Sequence, residues 1–250
     1  MKIWPSIFTV LGITSAMLLI GFGNKGNDRN VCNKVVITID NQLKNHFIDD
    51  NDVMNMLTNG YSEVIEGAPY NDINVRTLEN RVANNSYVQE AEVYRDLKGN
   101  LLVNVLLRRP IARVVQNEGP DAYIAEDGAI LPVSDKFSSR VLLISGSASR
   151  EIGSLDNIYH TDYGQLFELI NKINLDNFWK AQIAQVVIQD NGEIKLLPQV
   201  TKQYIEFGDL NHIENKLSRL KIFYKEILPR KGWNVYSRVS VKYKNQIICE

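Results

Sequence analysis

After Met1 and Lys2 the chain runs from Ile3 to Phe22 without one charged side chain. About 20 helical residues rising roughly 1.5 Å each span about 30 Å, the thickness of a bilayer's hydrocarbon core. The run therefore predicts a membrane helix over residues 3–22, with Trp4 near one interface. Lys2 and the amino terminus place positive charge before it, which favours leaving that end (residues 1–2) in the cytoplasm. Everything from about Asn24 onward is then expected across the membrane. A cleaved signal peptide is the alternative, but such peptides have an apolar core of about 7–15 residues and a small-x-small cleavage site. This run is longer, and Leu18-Leu19-Ile20-Gly21-Phe22-Gly23 offers no such site. In both readings the bulk of the chain is exported.

About 225 residues remain, enough for one large or two modest domains. Hydrophobic residues make up 44% of the chain, so real cores are available. Lys and Arg number 28 against 29 Asp and Glu, and they are dispersed. Without a massed basic patch, nucleic acid is not an expected partner. Cys32 and Cys249 are the two cysteines. Their spacing does not make a disulfide framework, and both read as free thiols.

A polar linker (residues 23–33) leads to Val35-Val36-Ile37-Thr38-Ile39, a strand by its β-branched composition. Asp49, Asp50 and Asp52 precede Val53, Met54, Met56 and Leu57, which suits a helix N-terminus. A second helix is expected from Asn74 to Asn84, then strands at Val88 to Tyr94 and Leu101 to Arg108. In the last of these Leu101, Val103, Val105 and Leu107 alternate onto one face. Pro110 is expected to end this strand-helix-helix-strand-strand module, placed at 34–109, because it cannot donate to a sheet ladder.

From residue 110 to 250 the pattern turns β-rich. Short strands are expected at Arg113 to Val115, Tyr123-Ile124 and Val141 to Ile144, with a turn at Glu126-Asp127-Gly128. A helix is expected over Asp162 to Ile173, and a hairpin pairs Ile183 to Gln189 with Glu193 to Leu197. Tyr204 to Phe207 reads as a strand. Ile213, Leu217, Leu220, Tyr224 and Ile227 make a helical stripe over Asn211 to Leu228. Val239, Val241 and Tyr243 alternate as a strand, Lys244-Asn245 turn it, and Gln246 to Cys249 form a last strand.

Apparent chemical motifs weaken on inspection. Gly21-Phe22-Gly23-Asn24-Lys25-Gly26 matches a dinucleotide fingerprint but lacks the flanking strand and helix. Ser218 and Lys221 have S-x-x-K spacing, but no K-T-G accompanies them. His46, His160 and His212 are scattered, so no zinc site is expected. No catalytic, cofactor-binding or metal-ligating set emerges.

The arrangement resembles the bacterial FtsQ/DivIB cell division family across nearly the whole chain. The most specific match is Leu101 to Ala112, LLVNVLLRRPIA: alternating apolar residues, then Arg, any residue, Pro, apolar, Ala at Arg108 to Ala112. Tyr123 to Pro132 is similar to that family's following hairpin. The tail, Val239 to Cys249, is similar to its paired final strands, with a Lys-Asn-Gln turn resembling members from the Bacteroidetes. Leu107 stands where Glu or Gln is common, and Ala125 where Asp is common.

The resemblance implies an α+β fold: a membrane helix, a POTRA-like βααββ domain, and a mixed β-rich domain with helices packed on a sheet. It implies a non-enzymatic scaffold without cofactors, a single-pass type II protein of the inner membrane. The bulk would lie in the periplasm at the division septum, binding FtsB- and FtsL-type partners and other divisome components. In that family the last strand presents the partner-binding edge. The residues that correspond here are Tyr243, Asn245, Gln246, Ile247, Ile248 and Cys249. Of the adjacent isoleucines one is expected to pack inward and the other to meet the partner. An exported cell-wall (peptidoglycan) enzyme with an unrecognised active site is the alternative. An outer-membrane assembly factor would need a barrel of many longer strands.

Overall fold

The structure is a computed structural model that describes residues 31–40 and 46–250. The membrane helix expected over 3–22 and the Gly21–Gly26 motif lie outside the described residues. Among the described residues no helix is long and apolar enough to cross a membrane.

The chain forms two compact units. In the first, β1 (Val35–Asp40), α1 (Asp50–Leu57), α2 (Val75–Ala83), β2 (Val88–Arg95) and β3 (Leu101–Leu107) follow in the expected order. The strands form a sheet of order β1-β3-β2. The acidic cluster before α1 is a capping box. Asp49 accepts from the Asp52 N–H at 3.0 Å, and Asp52 accepts in return from the Asp49 N–H at 2.9 Å. Asn74 caps α2 by accepting from the Thr77 N–H at 3.1 Å. Along β3 Leu101, Val103, Val105 and Leu107 are all buried, as their alternation requires.

The second unit is built on a nine-stranded sheet. Its strands are β4 (Pro110–Val114), β5 (Ala122–Ala125), β6 (Ile130–Pro132), β7 (Leu142–Gly146), β8 (Ile183–Ile188), β9 (Ile194–Pro198), β10 (Tyr204–Gly208), β11 (Arg238–Ser240) and β12 (Ile248–Cys249). Their order is β12-β11-β10-β9-β8-β7-β4-β5-β6. β4, β7 and β8 run parallel to their neighbours in that trio, β10 runs parallel to β11, and the remaining pairs are antiparallel. The helices are α3 (Ser149–Gly153), α4 (Gly164–Leu175), α5 (Asn177–Gln182), α6 (Ile213–Ile222) and α7 (Leu228–Lys231). Leu166, Leu169, Ile170 and Ile173 of α4 and Leu217 and Leu220 of α6 enter one core with Ile144, Val186, Leu196 and Ile205 of the sheet.

Several expectations need correction. The first module's last strand ends at Leu107, ahead of Pro110, but Pro110 does not stand outside a sheet: it opens β4, where it pairs with Ala125. A first strand residue tolerates proline because its missing donor costs the ladder little. The helix expected to run unbroken from Asn211 to Leu228 is α6, a π-helical turn over Phe223–Ile227, then α7. That wider turn brings Phe223, Tyr224 and Leu228 all into the core and leaves Ile227 only partly buried. The strand expected to reach Tyr243 stops at Ser240, and the last strand is confined to Ile248–Cys249. α3 and α5 were not expected at all; each is too short to show a period in sequence.

Candidate partner-binding edge

The end of the chain lies at one margin of the nine-stranded sheet. β12 pairs antiparallel with β11, Val239 opposite Cys249 and Ser240 opposite Ile248. The next pair outward exchanges both backbone bonds: the Arg238 N–H reaches the Glu250 carbonyl and the Glu250 N–H reaches the Arg238 carbonyl, each at 3.0 Å. Such pairs alternate with non-hydrogen-bonded ones in an antiparallel ladder. The Cys249 N–H and C=O are therefore turned away from β11, toward the open side of the sheet.

The other margin is closed. At β6 the Ile130 N–H donates to the Asp156 carbonyl at 3.0 Å, and the Ile158 N–H donates to the Gly128 carbonyl at 2.9 Å. Ala129 bridges Asn157, and Pro132 has no donor to offer. Covering segments and prolines are ordinary protections for a sheet edge. Among the described residues β12 carries neither.

Ile247 and Cys249 pack against the main core, while Ile248 is half-buried beside Ser240 on the opposite face. Tyr243 and Asn245 stand in the turn before β12, exposed, with Asn245 at φ 58°. Gln246 is exposed between that turn and Ile247. The structure thus gathers these residues on one turn and one short strand, with Ile248 and Cys249 alone in the ladder.

Two arginines missed in sequence hold this edge. Arg219, on α6, donates to the carbonyls of Val241 (2.9 Å), Tyr243 and Gln246. Arg238 pairs with Glu206 of β10 at 2.7 Å and with Glu250 at 2.8 Å. Those two carboxylates push the Arg238 guanidinium further toward its charged form. Its hydrogen bond in turn holds the Glu206 carboxyl below its ordinary value. Burial pushes the Cys249 thiol up, which disfavours thiolate chemistry there. Basic residues on a helix face or strand carry no periodic signal that marks them as backbone clamps. Lys221, half of the S-x-x-K spacing, pairs with Asp176 at 2.8 Å.

Residues 109–250 match the family model described as FtsQ/DivIB, C-terminal related, and residues 30–106 match the POTRA-like domain. The chain belongs to the FtsQ/DivIB family. No curated protein matches it. Membership gives it a role in cell division as a scaffold among divisome proteins at the septum, in a family that is generally non-enzymatic.

Proposed function

We propose that this chain is a membrane-anchored divisome scaffold that captures an FtsB- or FtsL-type partner by strand addition at β12. In this reading residues 3–22 hold it in the inner membrane as a single-pass type II protein, with residues 34–109 and 110–250 as its two periplasmic domains. The observation that carries the reading is the asymmetry of the sheet's margins: β6 is covered, whereas Cys249 directs its backbone donor and acceptor outward. Added strands take their affinity from such main-chain groups and their selectivity from alternating side chains. A two-residue strand is too short to recruit chains indiscriminately, so the partner must also read the neighbouring turn, where Tyr243, Asn245 and Gln246 are exposed.

The test is partner capture by full-length protein carrying Ile248→Lys, beside a deletion of Ile247 to Glu250. Ile248 faces away from the core, so its replacement is expected to spare folding and reduce capture at least tenfold. The deletion also removes the Glu250 bonds to β11 and is expected to abolish capture. Undiminished capture by the deletion variant would rule the edge out. A fluorescent fusion is expected to form a mid-cell band, and depletion to give filaments.

A further inference from the structure

Away from β12, the parallel trio of the second unit has a cleft at its amino-terminal ends. It measures about 390 Å³ and lies where β4, β7 and β8 begin, bordered by α4 and α5. Its floor is Ile111, Leu142, Ile173 and Ile183, all buried and all part of the main core. Such a floor is fixed by strands and a helix rather than by loops.

Its charge is one-sided. Arg109, Arg140 and Lys180 line it, and no aspartate or glutamate does. Arg109 has a long 3.4 Å pairing with Glu126. Arg140 and Lys180 are exposed and have no side-chain partner among the described residues. Two other clefts of this unit are mixed. At the carboxyl ends of β7 and β8, Arg150 is set against Glu118 and Asp190. In the groove between α4 and α6, Lys172 and Lys221 meet Asp176 and Glu214. In a chain of net charge −1, three cations around one concavity without a carboxylate among the lining residues is a local excess.

The cations come from three separate elements: the approach to β4, the approach to β7, and α5. A single small anion would call for converging buried donors, whereas Arg140 and Lys180 are exposed at the rim and Arg109 is only half-buried beside Glu126. A flat anionic lipid surface would call for cations on a plane. A rim of separated cations over an apolar floor fits a ligand with several carboxylates and one apolar group between them. The volume is at the small end of ligand sites, which run from about 300 to 1,000 Å³. It suits one or two side chains.

We propose that this cleft binds a short acidic polypeptide segment of a partner protein, an apolar side chain seated on the floor and its carboxylates on Arg109, Arg140 and Lys180. The site is separate from β12 in sequence and in sheet position, and it gives the scaffold a second, salt-sensitive contact. Rim charges act mainly on encounter rate and selectivity.

The test uses the full-length chain in zwitterionic nanodiscs and a fluorescein-labelled peptide alternating Asp and Glu with Leu and Phe. A control peptide replaces each acid by its amide. Fluorescence anisotropy is expected to show binding of the acidic peptide that weakens as salt rises, and at least tenfold weaker binding of the amide peptide. Arg140→Glu with Lys180→Glu is expected to weaken acidic-peptide binding at least tenfold without lowering the unfolding temperature, while Ile248→Lys leaves it unchanged. Equal binding of both peptides, no binding of the acidic one at millimolar concentration, or no effect of the double reversal would each overturn the proposal. So would displacement of the peptide by phosphatidylglycerol vesicles through the same two residues, which would assign the cleft to lipid.

Discussion

Arg219 and Gln246 are joined across the turn that precedes β12, the guanidinium of one donating to the backbone carbonyl of the other. The same guanidinium serves Val241 and Tyr243, so one α6 side chain collects the carbonyls of a segment that has left the sheet ladder. Only a planar fork of several N–H groups can do this; lysine offers a single point of charge. The clamp fixes the angle at which β12 returns to β11.

Arg219→Ala is therefore expected to loosen the edge before it loosens the domain. Hydrogen bonds to a charged donor contribute about 1.5–3 kcal/mol each when buried, less here because the group is partly exposed. Amide hydrogen exchange should rise on the order of tenfold over residues 241–249 while β7 and β8 stay protected. Arg219→Lys should recover only part of the protection. Uniform acceleration through the whole sheet would show that Arg219 supports the core and not the turn.

The pairing of Arg238 with Glu206 and Glu250 gives the edge a pH dependence. Arg238 stays cationic throughout, so Glu206 titrates the contact. Its folded value lies below the ordinary 4.5 because of Arg238. A carboxylate with a depressed folded value contributes stability above its unfolded value and loses it as pH falls through the folded one. Protection of residues 238–250 is thus expected to be flat from pH 7 to about 5 and to fall below about 4.5. Glu206→Gln should remove most of that slope and cost about 1 kcal/mol at pH 7. A slope that survives in the variant would place the titration elsewhere.

Much of the fold was legible because its signals are local. The alternation of Leu101 to Leu107, the acidic residues Asp49, Asp50 and Asp52 at the start of α1, and the hairpin of Ile183 to Gln189 with Glu193 to Leu197 each state their geometry within a few residues. What was hidden depends on distant partners. The stripe from Ile213 suggested an unbroken helix because a π turn costs only one residue of phase, and Phe223 shows its purpose only against the sheet. Pro110 looked like a terminator because the strand it opens is recognised through Ala125, fifteen residues on by the β4–β5 register. At the edge, the family resemblance pointed to the stretch from Tyr243 to Cys249, whereas Arg219 and Arg238 act through backbone carbonyls and carboxylates that no spacing rule connects.

Gly146 ends β7 at φ 112°, a conformation side chains rarely adopt. It pairs with Ile188 of β8, and a methyl group added there would overlap the Ile188 carbonyl oxygen. That oxygen already accepts from the Ser147 N–H at 3.0 Å. Gly146→Ala combines backbone strain of about 1–3 kcal/mol with separation of two central strands. It should lower the denaturation midpoint of the second unit by several kcal/mol equivalent, whereas Gly192→Ala, in an open turn, should cost about 1 kcal/mol. Equal losses from the two would refute the close-approach account.

Lys216 supplies the last test, because removing one or the other member of its ion pair with Asp209 is expected to cost unequal amounts. Its side chain is 6% exposed, and its ammonium donates to the Asp209 carboxylate and, at 2.7 Å, to the Asp209 backbone carbonyl. The Phe207 ring centre lies 5.2 Å from the nitrogen. The Asp209 side chain is 63% exposed. Asp209→Ala leaves an ammonium buried with one carbonyl for company, a loss of about 1.5–3 kcal/mol. Lys216→Met keeps the length and fills the same space with apolar atoms, and the freed Asp209 carboxylate can hydrate. That change should cost less than about 1 kcal/mol, since replacing a buried charge outright is often neutral. Urea denaturation of both variants separates the cases. If Met costs as much as Ala, the ion pair itself stabilises the β10–α6 connection, and Lys216 is more than a charge that must not be abandoned.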